Sequence, residues 1–159
     1  MTENICCFLG HRTILMSDEI YEKTYNHIKY LIVSEKVDTF LFGSKSQFND
    51  LCYQIVSTLT TDYPYIKRVY VRAQFPYISP EYKEYLLQNY EETYYPIKLL
   101  NAGKASYVER NVEMIDKSKF CVFYFDSRYI PPSEKKSGTK IAYEYALKKQ
   151  KAIINIFDM

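Results

Sequence analysis

Five short apolar runs constrain this chain more than any other feature, because stretches with helical periodicity separate them. The runs are 5–9 (ICCFL), 39–42 (TFLF), 68–73 (RVYVRA), 120–125 (FCVFYF) and 152–157 (AIINIF). Each reads as a strand. Between them, Ile20, Thr24, Ile28 and Leu31 recur at helical spacing, and Leu51, Ile55, Val56 and Leu59 form a second stripe. Val108, Val112 and Ile115 give another, as do Ile141, Ala142, Tyr145 and Ala146. Ser17 ahead of Asp18 and Glu19 marks a helix start, and Ser79-Pro80-Glu81 marks one with proline at the first helical position. Such alternation means βαβ units. The expected class is therefore α/β, with a mainly parallel sheet of about five strands and helices on both faces. Runs that are apolar throughout, rather than alternating, agree with burial on both sides.

At 159 residues the chain is expected to form a single domain over 1–159. A chain of this size buries roughly two thirds of its unfolded surface, so it needs no metal or disulfide staple. The least regular segment, about 75–105, is rich in tyrosine and proline and is expected to be an inserted helix plus a loop. It can cover a pocket, make a subunit contact or pack through its tyrosines. Lys and Arg total 21 against 19 Asp and Glu, a net charge of +2, which argues against a nucleic-acid partner. No run approaches the ~18 apolar residues that span a bilayer, so no membrane association is expected. The opening MTENICCFLG lacks a basic stretch ahead of its apolar residues and does not read as a signal peptide. Cys6, Cys7, Cys52 and Cys121 sit among apolar residues with no C-x-x-C spacing. They read as reduced, buried thiols of a cytoplasmic protein, and neither a metal site nor a cofactor is expected.

In a parallel α/β sheet, ligands bind beyond the carboxyl ends of the strands, near the point where strand order reverses. The residues just after each strand therefore matter. Gly10-His11-Arg12-Thr13 follows the first run, and Gly43-Ser44-Lys45-Ser46 follows the second. Asp126 follows the fourth, in a loop that ends with Ser137-Gly138-Thr139 at a helix start. Three of the chain's four glycines lie in these loops, where a glycine permits close backbone approach. Free N–H groups at a helix N-terminus make an anion site. Taken singly, Ser137-Gly138-Thr139 is also a turn with an N-cap, His11 a structural histidine, and Arg12 a surface charge. Taken together at one sheet edge, they point to a crevice for a phosphate or a nucleotide. His27, mid-helix, reads as structural.

The same residues resemble the SLOG superfamily, named for the Smf/DprA and Lonely Guy proteins, and its YpsA-like branch above all. That branch opens with a strand followed by T-G-H-R, similar to Leu9-Gly10-His11-Arg12. Its glycine-rich second loop is matched in part by 43–49. Its later helix and strand resemble the stretch from Tyr107-Val108-Glu109-Arg110-Asn111 to Asp126. Its Gly-Thr helix start resembles Gly138-Thr139. The resemblance runs over nearly the whole chain, least well in 75–105. It implies a Rossmann-like fold, a nucleotide-derived ligand, and a homodimer or higher homo-oligomer; the half-Rossmann pattern of the five runs gives an expected strand order of 3-2-1-4-5.

Some members of that superfamily are phosphoribohydrolases, others are nucleotide sensors, and the DprA-like members bind DNA. The hydrolases carry an Arg-Lys pair, matched by Arg110 with Asn111 in place of Lys. They also carry P-G-G-x-G-T-x-x-E, where this chain has Ala142 at the Glu position. Glu144 lies two residues on, about 200° further round the helix, and cannot replace it. Gln47 and Asn49 stand where the family has Gly and Asp, which makes the loop less open and less acidic.

Three readings follow. In the first, a sensor-type binding module uses Gly10, His11, Arg12, Gly43, Ser44, Ser137, Gly138 and Thr139 at the ligand. Arg12 and Arg110 pair with phosphate, and Asp126 or Glu109 accepts from ribose. In the second, the protein is a phosphoribohydrolase-like N-glycosidase with Glu109 or Asp126 as the catalytic carboxylate. In the third, it is an interaction module with a vestigial pocket and a tyrosine-rich interface.

Overall fold

The computed structural model describes residues 4–43, 45–97, 104–129 and 137–159. Six strands form one sheet: β1 (Ile5–Gly10), β2 (Thr39–Phe42), β3 (Lys67–Val71), β4 (Glu92–Tyr94), β5 (Phe120–Tyr124) and β6 (Ala152–Asn155). Helices α1 (Asp18–Val33), α2 (Gln47–Leu59), α3 (Pro80–Asn89), α4 (Lys104–Lys117) and α5 (Gly138–Lys148) connect them. The order across the sheet is β4-β3-β2-β1-β5-β6, and every neighbouring pair is parallel. The α/β class read from the alternation is the one observed, and the five expected strands stand in the expected order. The chain builds outward from β1 to β4 and then returns to place β5 on the other side of β1. The reversal therefore falls between β1 and β5, where a ligand crevice is expected.

The sixth strand is the main departure from the sequence reading. The segment expected as a helix plus a loop contains α3 and then β4, so α3 is the crossover between two parallel strands. Glu92-Thr93-Tyr94 carries no apolar run because it is an edge strand. Glu92 pairs across the edge with Lys67 at 3.1 Å, both side chains exposed. The last apolar run also divides: β6 stops at Asn155, whose side chain accepts from Phe157 N–H, and Ile156–Asp158 form a 3₁₀ turn.

Strand alternation distributes the core onto two faces. Cys6, Phe8, Phe40, Phe42 and Val122 pack with Ile28 and Leu31 of α1 and Ile55 and Leu59 of α2. Cys7, Leu9, Leu41, Cys121 and Phe123 pack with Met114 and Ile115 of α4 and Ala142 and Ala146 of α5. Phe8 and Phe40 stack with centroids 5.7 Å apart. Each such ring, fully buried, stabilises the fold by about 1.5–3 kcal/mol. All four cysteines are free and buried, and adjacent Cys6 and Cys7 enter opposite faces. Helices α1, α2, α3 and α5 each begin with a serine N-cap (Ser17, Ser46, Ser79, Ser137) whose side chain accepts from the N–H three residues on. No helix among the described residues is long and apolar enough to cross a membrane.

Candidate functional site

The carboxyl ends of β1, β2 and β3 and the N-termini of α2 and α5 surround a crevice of about 1010 Å³. Its lining gathers four cations, Arg12, Lys45, Arg72 and Arg110. It also gathers the rings of His11, Tyr70, Phe75, Tyr82, Tyr107 and Tyr129. No carboxylate belongs to the lining among the described residues.

Arg110 is the most buried of the four cations, with 3% of its surface exposed. It rises from α4 and donates through Nη1 to the Gly43 carbonyl and through Nε to Asn111 Oδ1 at 3.1 Å. Its guanidinium lies 5.5 Å from the centre of the Tyr107 ring. None of the ion pairs among the described residues includes it. Burial lowers its pKa to about 10, against smaller opposing effects of Tyr70 and Tyr107, so it keeps its proton at neutral pH. A buried charge is ordinarily paired. Here neutral oxygens hold it, which leaves the crevice positive and suited to an anion. Arg72, at the end of β3, has a buried Nε with no hydrogen-bond partner, while its Nη1 donates to the Pro76 carbonyl at 3.3 Å.

His11 sits at the end of β1, where its Nε2 accepts from the Asp126 backbone N–H at 2.9 Å. The ring is therefore a neutral imidazole with its proton on Nδ1. Burial pushes its pKa down, and the nearby Asp126 opposes that only in part. The Tyr129 ring lies 4.7 Å from it.

Of the residues singled out in the sequence, Gly10, His11, Arg12, Gly43, Arg110, Ser137, Gly138 and Thr139 all line the crevice. Ser44 lies outside the described residues. Asp126 does not line it. Its carboxylate accepts from Arg128 Nε at 3.1 Å and from the Arg128 N–H at 2.9 Å, and Arg128 holds it below the usual carboxylate range. Glu109 is half-buried on α4 and is also absent from the lining. Ala142, at the position of the hydrolases' glutamate, is packed in the second core.

Packing requires two of these glycines, Gly10 and Gly43. A Cβ on Gly43 would lie 2.7 Å from Arg110 Cδ, so the glycine is what lets that arginine cross the end of β2. A Cβ on Gly10 would lie 2.6 Å from Phe48 of α2. Gly138 faces open space. Gln47 and Asn49 belong to the first turn of α2 and bind protein. Asn49 Nδ2 donates to the Phe8 carbonyl at 3.0 Å, and Asn49 Oδ1 accepts from the Gly43 N–H at 3.3 Å. Gln47 Oε1 accepts from the Ile14 N–H at 2.8 Å.

Arg72 was hidden in the sequence because the third apolar run, 68–73, contains it. The strand stops at Val71, which puts Arg72 just beyond the carboxyl end of β3. Tyr70 and Tyr107 carry no comparable signal in a chain with 18 tyrosines.

No protein-family model matches the chain, and no curated protein matches it. Solved structures do. DNA processing protein A from Helicobacter pylori superposes with a TM-score of 0.62 at 15% identity, over 96% of this chain and 64% of that one. DNA processing protein A from Streptococcus pneumoniae gives 0.58 at 12% identity, over 94% of this chain and 49% of that one. The fold is similar to that of DNA processing protein A. At these identities the likeness shows the fold alone, and this chain spans less than two thirds of either neighbour's length. It bears on the Smf/DprA side of the resemblance and not on the YpsA-like branch.

The comparison corrects one expectation. The Helicobacter pylori structure is described as showing a single-stranded DNA binding mode. A protein of this fold thus binds nucleic acid, and a net charge of +2 does not argue against it. The sum over the chain hides a local imbalance, because four cations converge on a crevice with no described carboxylate in its lining.

Proposed function

We propose that the crevice binds a phosphate-bearing nucleoside, as a free nucleotide or as a unit of a single nucleic-acid strand, without cleaving it. The observation that carries this is the lining of four cations and six rings with no described carboxylate. Arg110, Arg72 and Arg12 would pair with phosphate oxygens, since a guanidinium donates bidentately. The first N–H groups of α5, at Gly138 and Thr139, would add to the anion site. The aromatic faces suit a base, and base–aromatic stacking is worth about 1–3 kcal/mol per base whatever the sequence. The single-stranded DNA binding of the Helicobacter pylori neighbour supports the strand form. Cleavage of a glycosidic bond asks for a carboxylate at the reacting carbon. Glu109 and Asp126, the candidates for that role, stand outside the lining, which favours binding over hydrolysis.

The test is thermal denaturation and calorimetric titration with nucleoside monophosphates, ADP-ribose and short single strands. Ligand at 100 times its Kd adds about 2.7 kcal/mol and raises the midpoint by several degrees. Arg110→Met and Arg72→Ala are expected to reduce that rise, with no free base in the tubes. If no compound shifts the midpoint and both variants are as stable as the parent, the reading fails. Free base released at a steady rate would replace it with the hydrolase.

A further inference from the structure

We propose that the ligand carries a second nucleoside, seated in a side cleft and joined to the first through a phosphate held by Arg12 and Lys45. The proposal rests on the nucleotide reading of the main crevice. The side cleft measures about 470 Å³ and shares Arg12, Lys45, Ser46 and Tyr70 with the main crevice, so the two spaces adjoin across these residues. The two exposed cations, Arg12 and Lys45, therefore stand at the junction.

Tyr70 forms the partition. Its ring packs against Tyr90 of the side cleft, centroids 5.2 Å apart. It also lines the main crevice, together with Tyr82 and Arg110. The side cleft also carries a negative charge that the main crevice lacks, because Asp50, in the first turn of α2, lines the side cleft only. A carboxylate accepts hydrogen bonds and repels phosphate. The side cleft thus suits the N–H edge of a base or a sugar hydroxyl, with Tyr70 and Tyr90 supplying apolar surface. Cations shared by both spaces and a carboxylate in the side cleft alone fit a phosphodiester followed by an uncharged nucleoside. They do not fit a chain of phosphates running through both spaces.

The experiment titrates the protein with the dinucleotide pTpT and with thymidine 3′,5′-bisphosphate, pTp. The second probe keeps a phosphate on each side of one nucleoside and lacks only the other nucleoside. The expected result is that pTpT binds about tenfold or more tightly than pTp, the size of one added base–aromatic contact. Thr13→Trp, which fills the cleft from an exposed position, and Asp50→Ala should bring pTpT toward the parent's value for pTp. Thermal midpoints without ligand check that both variants fold. A 5′-phosphorylated ten-residue oligothymidylate distinguishes the source of the ligand. Affinity well above that of pTpT indicates a strand, and equal affinity a free dinucleotide. Equal binding of pTp and pTpT overturns the second subsite and leaves the nucleotide reading intact. Binding of neither probe overturns the nucleotide reading itself, and the subsite with it.

Discussion

Gly43 and Arg110 show how a single residue sets the site. The glycine leaves room for a buried guanidinium at the end of β2, and a methyl group there would meet both Arg110 and Met114 Sδ, the latter at 3.0 Å. Gly43→Ala should therefore cost about 1–3 kcal/mol through overpacking, read as a lower urea midpoint. It should also weaken phosphate-ligand binding, because the displaced arginine is the most buried of the four cations that line the crevice. A variant as stable as the parent and equally able to bind would show that the contact is slack. His11 gives the pH dependence. Burial puts its folded pKa below the unfolded value of about 6.5, so the unfolded chain binds more protons between the two values. The stability contributed by the neutral ring is complete above about pH 6.5 and is lost as pH falls below it. Thermal midpoints should drop between pH 7 and 5, and His11→Gln should flatten that slope. An unchanged slope in the variant would place the proton uptake elsewhere.

At the scale of elements, α2 carries more of the site than its sequence suggests. Its first turn holds the ends of β1 and β2 through Asn49, which bonds the Phe8 carbonyl and the Gly43 N–H, and Asn49 is itself buried. Asn49→Ala removes both partners and should cost about 1–3 kcal/mol for the unsatisfied backbone groups, measured by chemical denaturation. A loss well under that range would mean water replaces the amide. In the sequence, Asn49 was legible only as a departure from a glycine- and aspartate-rich loop, because nothing local says which backbone groups it will reach. The N-terminus of α5 was legible, since Ser137-Gly138-Thr139 combines a serine cap with a helix start. Strand β4 was not. An edge strand of three residues with one half of its backbone unpaired needs no apolar run, and Glu92-Thr93-Tyr94 has none.

At the scale of the whole molecule, charge placement matters more than charge total. If a single strand occupies the crevice, log affinity should fall with log salt by about 0.7 for each phosphate neutralised. Arg12→Ala should then reduce the magnitude of that slope by about 0.7, whereas a slope unchanged by the substitution would remove Arg12 from the phosphate path. The alternation of apolar runs and helical stripes determined, unaided, the parallel sheet, the helices on both faces and the edge at which a ligand would enter. It could do so because periodicity records burial on each side of a strand or helix, and burial is a property each segment carries locally. The joining of Arg72 to Arg12 and Arg110 at the crevice was decided by the tertiary structure alone. So were the use of Gly43 to seat an arginine and the standing of Asp126 and Glu109 outside the lining. Those facts depend on which strand ends become neighbours and how far each side chain reaches across them, and no window of sequence contains both partners.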